Sequence, residues 1–212
     1  MRDVLNVTLV AQRKLYESIN TTLNADGADL VGIYYSSELD AEIGYPWVKS
    51  VVIYGIGVED EALLLNAKLR KWSERKQFVD ILLDYIGNRL GMELTEMGVK
   101  VKVLSAALPE LDLRRLAVDA GLGFYGKNSL VITEEFGPRV RFGGVLLSVP
   151  LKHFSIEINE NPCFHCNKCV EACPARALNH GYNLMACDEY NSRLNKHKKC
   201  TMCTDVCPVG KE

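Results

Sequence analysis

A chain of 212 residues has room for one large domain, or for a medium domain with a small appendage, and on folding should bury about 70% of the surface its unfolded form exposes. Its 25 basic and 27 acidic residues nearly cancel, which argues against a broad nucleic-acid footprint or attraction to an anionic membrane. No run reaches the roughly 18 apolar residues of a membrane span, and Met1-Arg2-Asp3-Val4 opens no apolar signal core, so the expectation is a cytoplasmic protein with reduced cysteines.

Leu15, Ile19 and Leu23 recur at helical spacing ahead of the turn-forming Asp26-Gly27, which predicts an amphipathic helix over residues 8–24. Residues 30–35 read as a strand. Residues 48–58, nearly all apolar after Lys49 and Ser50, read as a central strand covered on both faces. Between these strands, residues 36–47 carry Gly44 and Pro46 and predict a short loop. The strongest helical signal spans residues 60–90, where Leu65, Leu69, Trp72, Val79, Leu83, Ile86 and Leu90 form one stripe. Glu59, Asp60 and Glu61 suit its start and Gly91 its stop. Such a helix would run about 45 Å if continuous, or break near the polar residues 73–77. Trp72 on the stripe is expected in the core.

Val99, Val101 and Val103 alternate with Lys100 and Lys102, the pattern of a half-buried strand. Pro109, Glu110 and Asp112 open a short helix with Leu113, Leu116, Ala117 and Ala120 on its buried side, and Gly121 ends it. Strands are expected over residues 130–133 and 141–149. Helix and strand signals mix without a regular alternation, so the fold class is α+β.

Gly121-Leu122-Gly123-Phe124-Tyr125-Gly126 spells G-x-G-x-x-G. That pattern cradles a dinucleotide only after a strand and before a helix, whereas here a helix precedes it and Leu130-Val131-Ile132 points to a strand after it. What remains is a glycine loop ending in Lys127, Asn128 and Ser129, either a turn at a helix exit or the wall of a cofactor site. Gly143-Gly144, inside a strand pattern, is a second signal of close approach.

All eight cysteines lie in the last quarter, as Cys163-x2-Cys166-x2-Cys169-x3-Cys173-Pro174, Cys187 alone, and Cys200-x2-Cys203-x3-Cys207-Pro208. Three thiolates two residues apart on a tight loop reach three corners of one cubane. The fourth, three residues on and followed by proline, points away and in two-cluster ferredoxins ligates the other cluster. One cluster then takes Cys163, Cys166, Cys169 and Cys207. The other takes Cys173, Cys200, Cys203 and one more ligand. Cys187 is the remaining thiol, and His197, standing where the second motif's first cysteine would be, is its rival. Zinc also fits paired C-x2-C sets but accounts less well for three evenly spaced cysteines and the Cys-Pro endings; a disulfide framework fits least.

The cysteine segment is too short for an apolar core and should draw folding energy from its metal sites. A division near His153 is therefore expected, giving a cofactor or substrate domain at 1–153 and a cluster domain at 154–212. Arg193, Lys196, Lys198 and Lys199 form a short basic run, either a solvated loop or a docking patch for an acidic redox partner. Two functions are open: a redox protein passing single electrons to a cofactor or small-molecule substrate on its N-terminal domain, and an electron carrier that docks onto a partner enzyme. Neither calls for a nucleic acid or a membrane.

Residues 117–136, with Ala120-Gly121-Leu122-Gly123, Gly126-Lys127 and Phe136-Gly137 at its end, resemble the cobalamin-binding domain of epoxyqueuosine reductases. So does Ala28-Asp29-Leu30-Val31-Gly32, and the cysteine pattern matches them, lone Cys187 included. Reductive dehalogenases share a related layout. The resemblance implies a nitroreductase-like α+β domain holding a corrinoid, followed by a small bacterial ferredoxin-like domain with two 4Fe-4S clusters. It implies Cys163, Cys166, Cys169 and Cys207 on one cluster and Cys173, Cys187, Cys200 and Cys203 on the other. It also makes Gly121, Gly123, Gly126, Lys127, Asn128 and Ser129 neighbours of the corrinoid, or of FMN in its place. Three features depart from the family: Leu104-Ser105 stands where a proton-donating aspartate is expected, residues 36–47 are shortened, and the sequence stops at Glu212, short of the helical-repeat domain that helps hold transfer RNA. No catalytic residue is assigned.

Overall fold

In a computed structural model, residues 2–36, 39, 43–58, 72–151, 161–194 and 200–211 are described, the side chains of residues 2–10 and 72–76 excepted. The frame is a four-stranded antiparallel sheet in the order β1-β2-β6-β3, made of β1 (Leu30–Tyr34), β2 (Ser50–Gly57), β3 (Val101–Leu104) and β6 (Val140–Leu147). Every residue of β2 is buried, as its unbroken apolar run requires of a strand covered on both faces. Val52, Tyr54 and Ile56 pack into one core layer and Val51 and Ile53 into the other, the two-residue alternation of a pleated strand.

Two long helices cover the first face. Helix α1 (Arg2–Ala25) lays Leu15, Ile19 and Leu23 onto it, and α2 (Trp72–Glu96) adds Val79, Leu83, Ile86, Leu90 and Leu94. The second helix takes the unbroken of the two alternatives at residues 73–77, and it corrects the expected stop, passing through Gly91. The glycines of α2 are there for packing: a Cβ at Gly87 would lie 2.2 Å from Tyr54 Oη, and one at Gly91 would lie 3.1 Å from Val103 Cγ2. The turn that ends the helix falls at Gly98, whose φ of +80° an L side chain rarely adopts. Leu65, Leu69 and the acids at 59–61 lie outside the described residues, as does the Trp72 side chain.

Helix α3 (Leu113–Asp119) covers the second face with Leu113, Leu116 and Ala117. Asp112 caps it, accepting from the Arg114 and Arg115 amides at 3.0 and 3.4 Å. Leu39 is buried against this layer as well, so the expected loop at 36–47 contributes to the core. The glycine loop folds as a small hairpin of β4 (Phe124–Tyr125) and β5 (Val131–Ile132), and β4 is an element the sequence reading missed. The cysteine segment carries α4 (Lys168–Glu171), α5 (Leu184–Arg193) and α6 (Met202–Asp205). No helix among the described residues is long and apolar enough to cross a membrane. His153, at the expected division, lies outside the described residues.

Candidate metal centres

Two cavities open in the cysteine segment, and each is lined by four thiols. The first, about 60 Å³, is lined by Cys163, Cys166, Cys169 and Cys207, together with Asn128, Ile132 and Pro208. The second, about 270 Å³, is lined by Cys173, Cys187, Cys200 and Cys203, together with Asn128, Tyr182 and Arg141. None of the eight cysteines is in a disulfide. Each set draws one thiol across from the other motif, which is the interleaving that a Cys-Pro ending makes available.

The thiols within a set act on one another. Burial pushes the Cys169 thiol above its ordinary value, and the charges of Cys163, Cys166 and Cys207 add to the shift. Cys203 is pushed up to about 11, by burial first and then by Cys200, Cys169 and Cys187. Four thiolates held this close repel unless a cation sits among them, so the donor chemistry fits a metal group at each cavity. Among the described residues no three His, Cys, Asp or Glu side chains close on a point suited to a single ion. Four thiolates per cavity are the donor set of a 4Fe-4S cubane, and also of tetrahedral zinc.

Local structure aims each thiol. Asn161 Oδ1 accepts from the Cys163 amide at 2.9 Å, and the Ala177 amide donates to Cys173 Sγ at 3.3 Å. Cys187 sits in the first turn of α5, whose cap Asn183 accepts from the Ala186 amide at 3.0 Å. Asn191, one turn on, donates to the Cys187 carbonyl at 3.0 Å while its Oδ1 accepts from the Cys200 amide at 2.8 Å. It thereby ties two ligand positions of the second set together. The Tyr182 hydroxyl is pushed up to about 12, by burial first and then by the neighbouring Cys187 thiol. His197, Lys196, Lys198 and Lys199 lie outside the described residues. Arg193 is on α5, ion-paired with Glu189.

The N-terminal sheet domain docks onto this segment through three polar side chains. Lys127 Nζ donates to the Phe164 carbonyl, the Cys166 carbonyl and Asn167 Oδ1 at 3.2, 2.9 and 2.8 Å. Buried Asn128 lines both thiol cavities and donates to the Cys203 carbonyl at 3.4 Å. Arg139, 2% exposed, donates to the carbonyls of Thr204, Cys207 and Val209 at 3.4, 3.3 and 2.6 Å. Gly137 lets the tail approach: at φ +55° a Cβ there would stand 2.1 Å from the Val209 carbonyl oxygen. Sequence reasoning missed Arg139, Tyr182 and Asn191, none of which belongs to a spaced motif.

The other loop residues serve the hairpin itself. Gly121 ends α3 at φ +77°. A Cβ at Gly123 would lie 2.5 Å from the Ile132 carbonyl oxygen, and one at Gly126 would lie 2.7 Å from Ile132 Cγ1. Ser129 closes the turn at φ 57°, its amide donating to the Gly126 carbonyl at 2.9 Å. Gly143 gives up its side chain to the Tyr54 ring, whose hydroxyl donates to the Leu83 carbonyl at 2.9 Å and is pushed up by burial and then by Asp84.

Beside the second thiol cavity lies a larger one of about 520 Å³, lined on one side by Ala106, Ala107, Glu110 and Asp112. The two share Leu130, Pro138, Val140 and Arg141 as lining residues. Arg141 is pinned there by buried Asp80 at 2.7 Å. Glu110 accepts from Tyr45 Oη at 2.6 Å and pairs with Lys102 at 3.0 Å, contacts that hold its carboxyl below the usual range. At the end of β3, Ser105 Oγ donates to Asp84 at 3.1 Å.

Residues 156–179 match the model of the 4Fe-4S binding domain. An epoxyqueuosine reductase of Bacillus anthracis is 33% identical over an alignment of 184 positions that covers 75% of this chain and 48% of that protein. A tetrachloroethene reductive dehalogenase of Desulfitobacterium hafniense is 44% identical over 68 residues, 31% of this chain and 12% of that one. The chain is a homologue of both enzyme groups. It spans about half the length of the curated epoxyqueuosine reductases matched over most of its length. In three dimensions it superposes on a crystal structure of epoxyqueuosine reductase with a TM-score of 0.69 at 20% identity, covering 94% of this chain and 66% of the other. A reductive dehalogenase, whose structure suggests a mechanism for B12-dependent dehalogenation, gives 0.71 at 19% identity over 92% of this chain and 32% of its own. The homologue thus carries their mixed helix and strand fold together with a 4Fe-4S binding region.

Proposed function

We propose that this homologue is an iron-sulfur redox protein holding two 4Fe-4S clusters, one on Cys163, Cys166, Cys169 and Cys207 and the other on Cys173, Cys187, Cys200 and Cys203. The nitroreductase-like sheet domain, residues 1–153, provides the cavity of about 520 Å³ for a corrinoid, or for FMN in its place. Residues 154–212 form the ferredoxin-like cluster domain. The observation that carries this reading is that the second thiol cavity adjoins the large one, with Leu130, Pro138, Val140 and Arg141 lining both. When bound, the clusters supply one-electron transfer and a corrinoid supplies the difficult bond chemistry. The residues supply position and seclusion. Arg141 presents a cation held in place by Asp80, Val140 and Phe142 line the cavity with apolar surface, and Asn128 fills the space between the two thiol sets.

A second reading, an electron carrier without substrate chemistry of its own, is favoured by the carboxylates of the cavity. Glu110 is committed to Tyr45 and Lys102 and Asp112 caps α3, while Ser105 stands at the strand end where an acid was expected. Each of these side chains is held by a structural contact, Ser105 by Asp84. A small molecule or a redox protein is the partner in the first reading, and an enzyme in the second. Titrating the anaerobically reconstituted chain with cobalamin and with FMN separates them. Stoichiometric uptake with a shift of the corrinoid spectrum to its base-off form is the expected result. Intact clusters with uptake of neither would leave the carrier.

A further inference from the structure

Lys127 reaches from the tip of the β4–β5 hairpin into the first cysteine loop, and its ammonium has three protons and no acceptor capacity. The Phe164 carbonyl, the Cys166 carbonyl and Asn167 Oδ1 saturate it. All three acceptors are uncharged, and all lie between Cys163 and Cys169, in the loop that supplies three of the four thiols of the first set. Among the described residues Lys127 is in no ion pair. Lys168 lines the first thiol cavity and Arg139 donates to the Cys207 carbonyl at 3.3 Å, so Lys127 adds to other cations there, whereas at the second set the charge of Arg141 is offset by Asp80 at 2.7 Å. Adding an electron to a cluster adds a negative charge, and local charge and hydrogen bonding set how favourable that is.

We propose that Lys127 is the positioning residue of the first cluster: it fixes the turn at Phe164 to Asn167 and, through its charge, favours the reduced state of that cluster over that of the second. The inference rests on the two-cluster reading above. It assigns Lys127 to the loop that carries the first thiol set, because its ammonium meets the Phe164 and Cys166 carbonyls and Asn167 Oδ1 there.

The test is an anaerobic redox titration of the full chain with a low-potential viologen as the one-electron donor, followed by electron paramagnetic resonance alongside iron counts. Wild type is compared with Lys127→Gln and Lys127→Arg. The Gln variant should weaken reduction of one cluster about tenfold, about 59 mV for one electron, and leave the other unmoved, while Arg stays near wild type. If the turn fails without its ammonium, the Gln variant should instead lose about half its iron and the Arg variant keep it. Two clusters unchanged in the Gln variant, two shifted alike, or an Arg variant that behaves as Gln would overturn the inference. A wild-type chain that takes up no cluster would strike at the two-cluster reading instead.

Discussion

Cys187 has no partner at the spacing of a metal motif, yet it lines the second cavity with Cys173, Cys200 and Cys203. Its place is fixed by two neighbours: Asn183 caps its helix, and Asn191 joins it to Cys200. Replacing it by alanine should remove about half the iron or change the spectrum of one cluster alone, because a missing thiolate leaves three ligands for four corners. Iron content and spectra that stay as in wild type would return the fourth position to His197. At this scale the sequence was legible where chemistry imposes spacing. Counting residues sorted seven of the thiols, since a cubane fixes how far apart its ligands stand along a loop, and left Cys187 and His197 as rivals for the last position. Arg139 could not be found that way. Its acceptors lie 65 to 70 positions further along the chain, and only the folded contact brings them together.

Along whole elements, apolar periodicity gave the helices and the central strand their place, and local rules about glycine misplaced the end of α2. Gly91 resembles a stop in one dimension but in three it lets the helix approach β3, so packing overrode propensity. The turn of helix beyond it carries a consequence. Glu93 joins α2 to α1 by accepting from Ser18 Oγ at 2.6 Å and Thr22 Oγ1 at 2.7 Å, and these two bonds hold its carboxyl below the ordinary value of 4.5. A depressed carboxylate stabilises the folded state above its unfolded value, and that contribution fades as pH falls through the folded one. Wild type should therefore exceed Glu93→Gln by about 1 kcal/mol near neutral pH, a figure discounted for partial exposure. The gap should close below about pH 4.5. Denaturant titrations of both proteins at each pH check this, and since acid strips any cluster from the two alike, their difference isolates Glu93. A gap that widened in acid would contradict it.

For the molecule as a whole, the α+β class and the order of elements were readable from pattern, and the reversed context of the glycine motif ruled out a dinucleotide turn. The hairpin β4–β5 escaped because its strands have two residues each, too short for a period to show. The docking of the tail escaped for a related reason: it depends on Lys127, Asn128 and Arg139 meeting backbone carbonyls, which every residue offers and no side-chain pattern marks. That docking brings the second thiol cavity beside the larger one, with Leu130, Pro138, Val140 and Arg141 lining both. The central claim is that these cavities hold two iron-sulfur cubes. It is tested most directly by counting iron, acid-labile sulfide and zinc in the anaerobically purified chain, with about eight iron and eight sulfide per chain expected for two 4Fe-4S clusters. Zinc at one or two atoms per chain without sulfide, or cysteines joined in disulfides, would contradict the account.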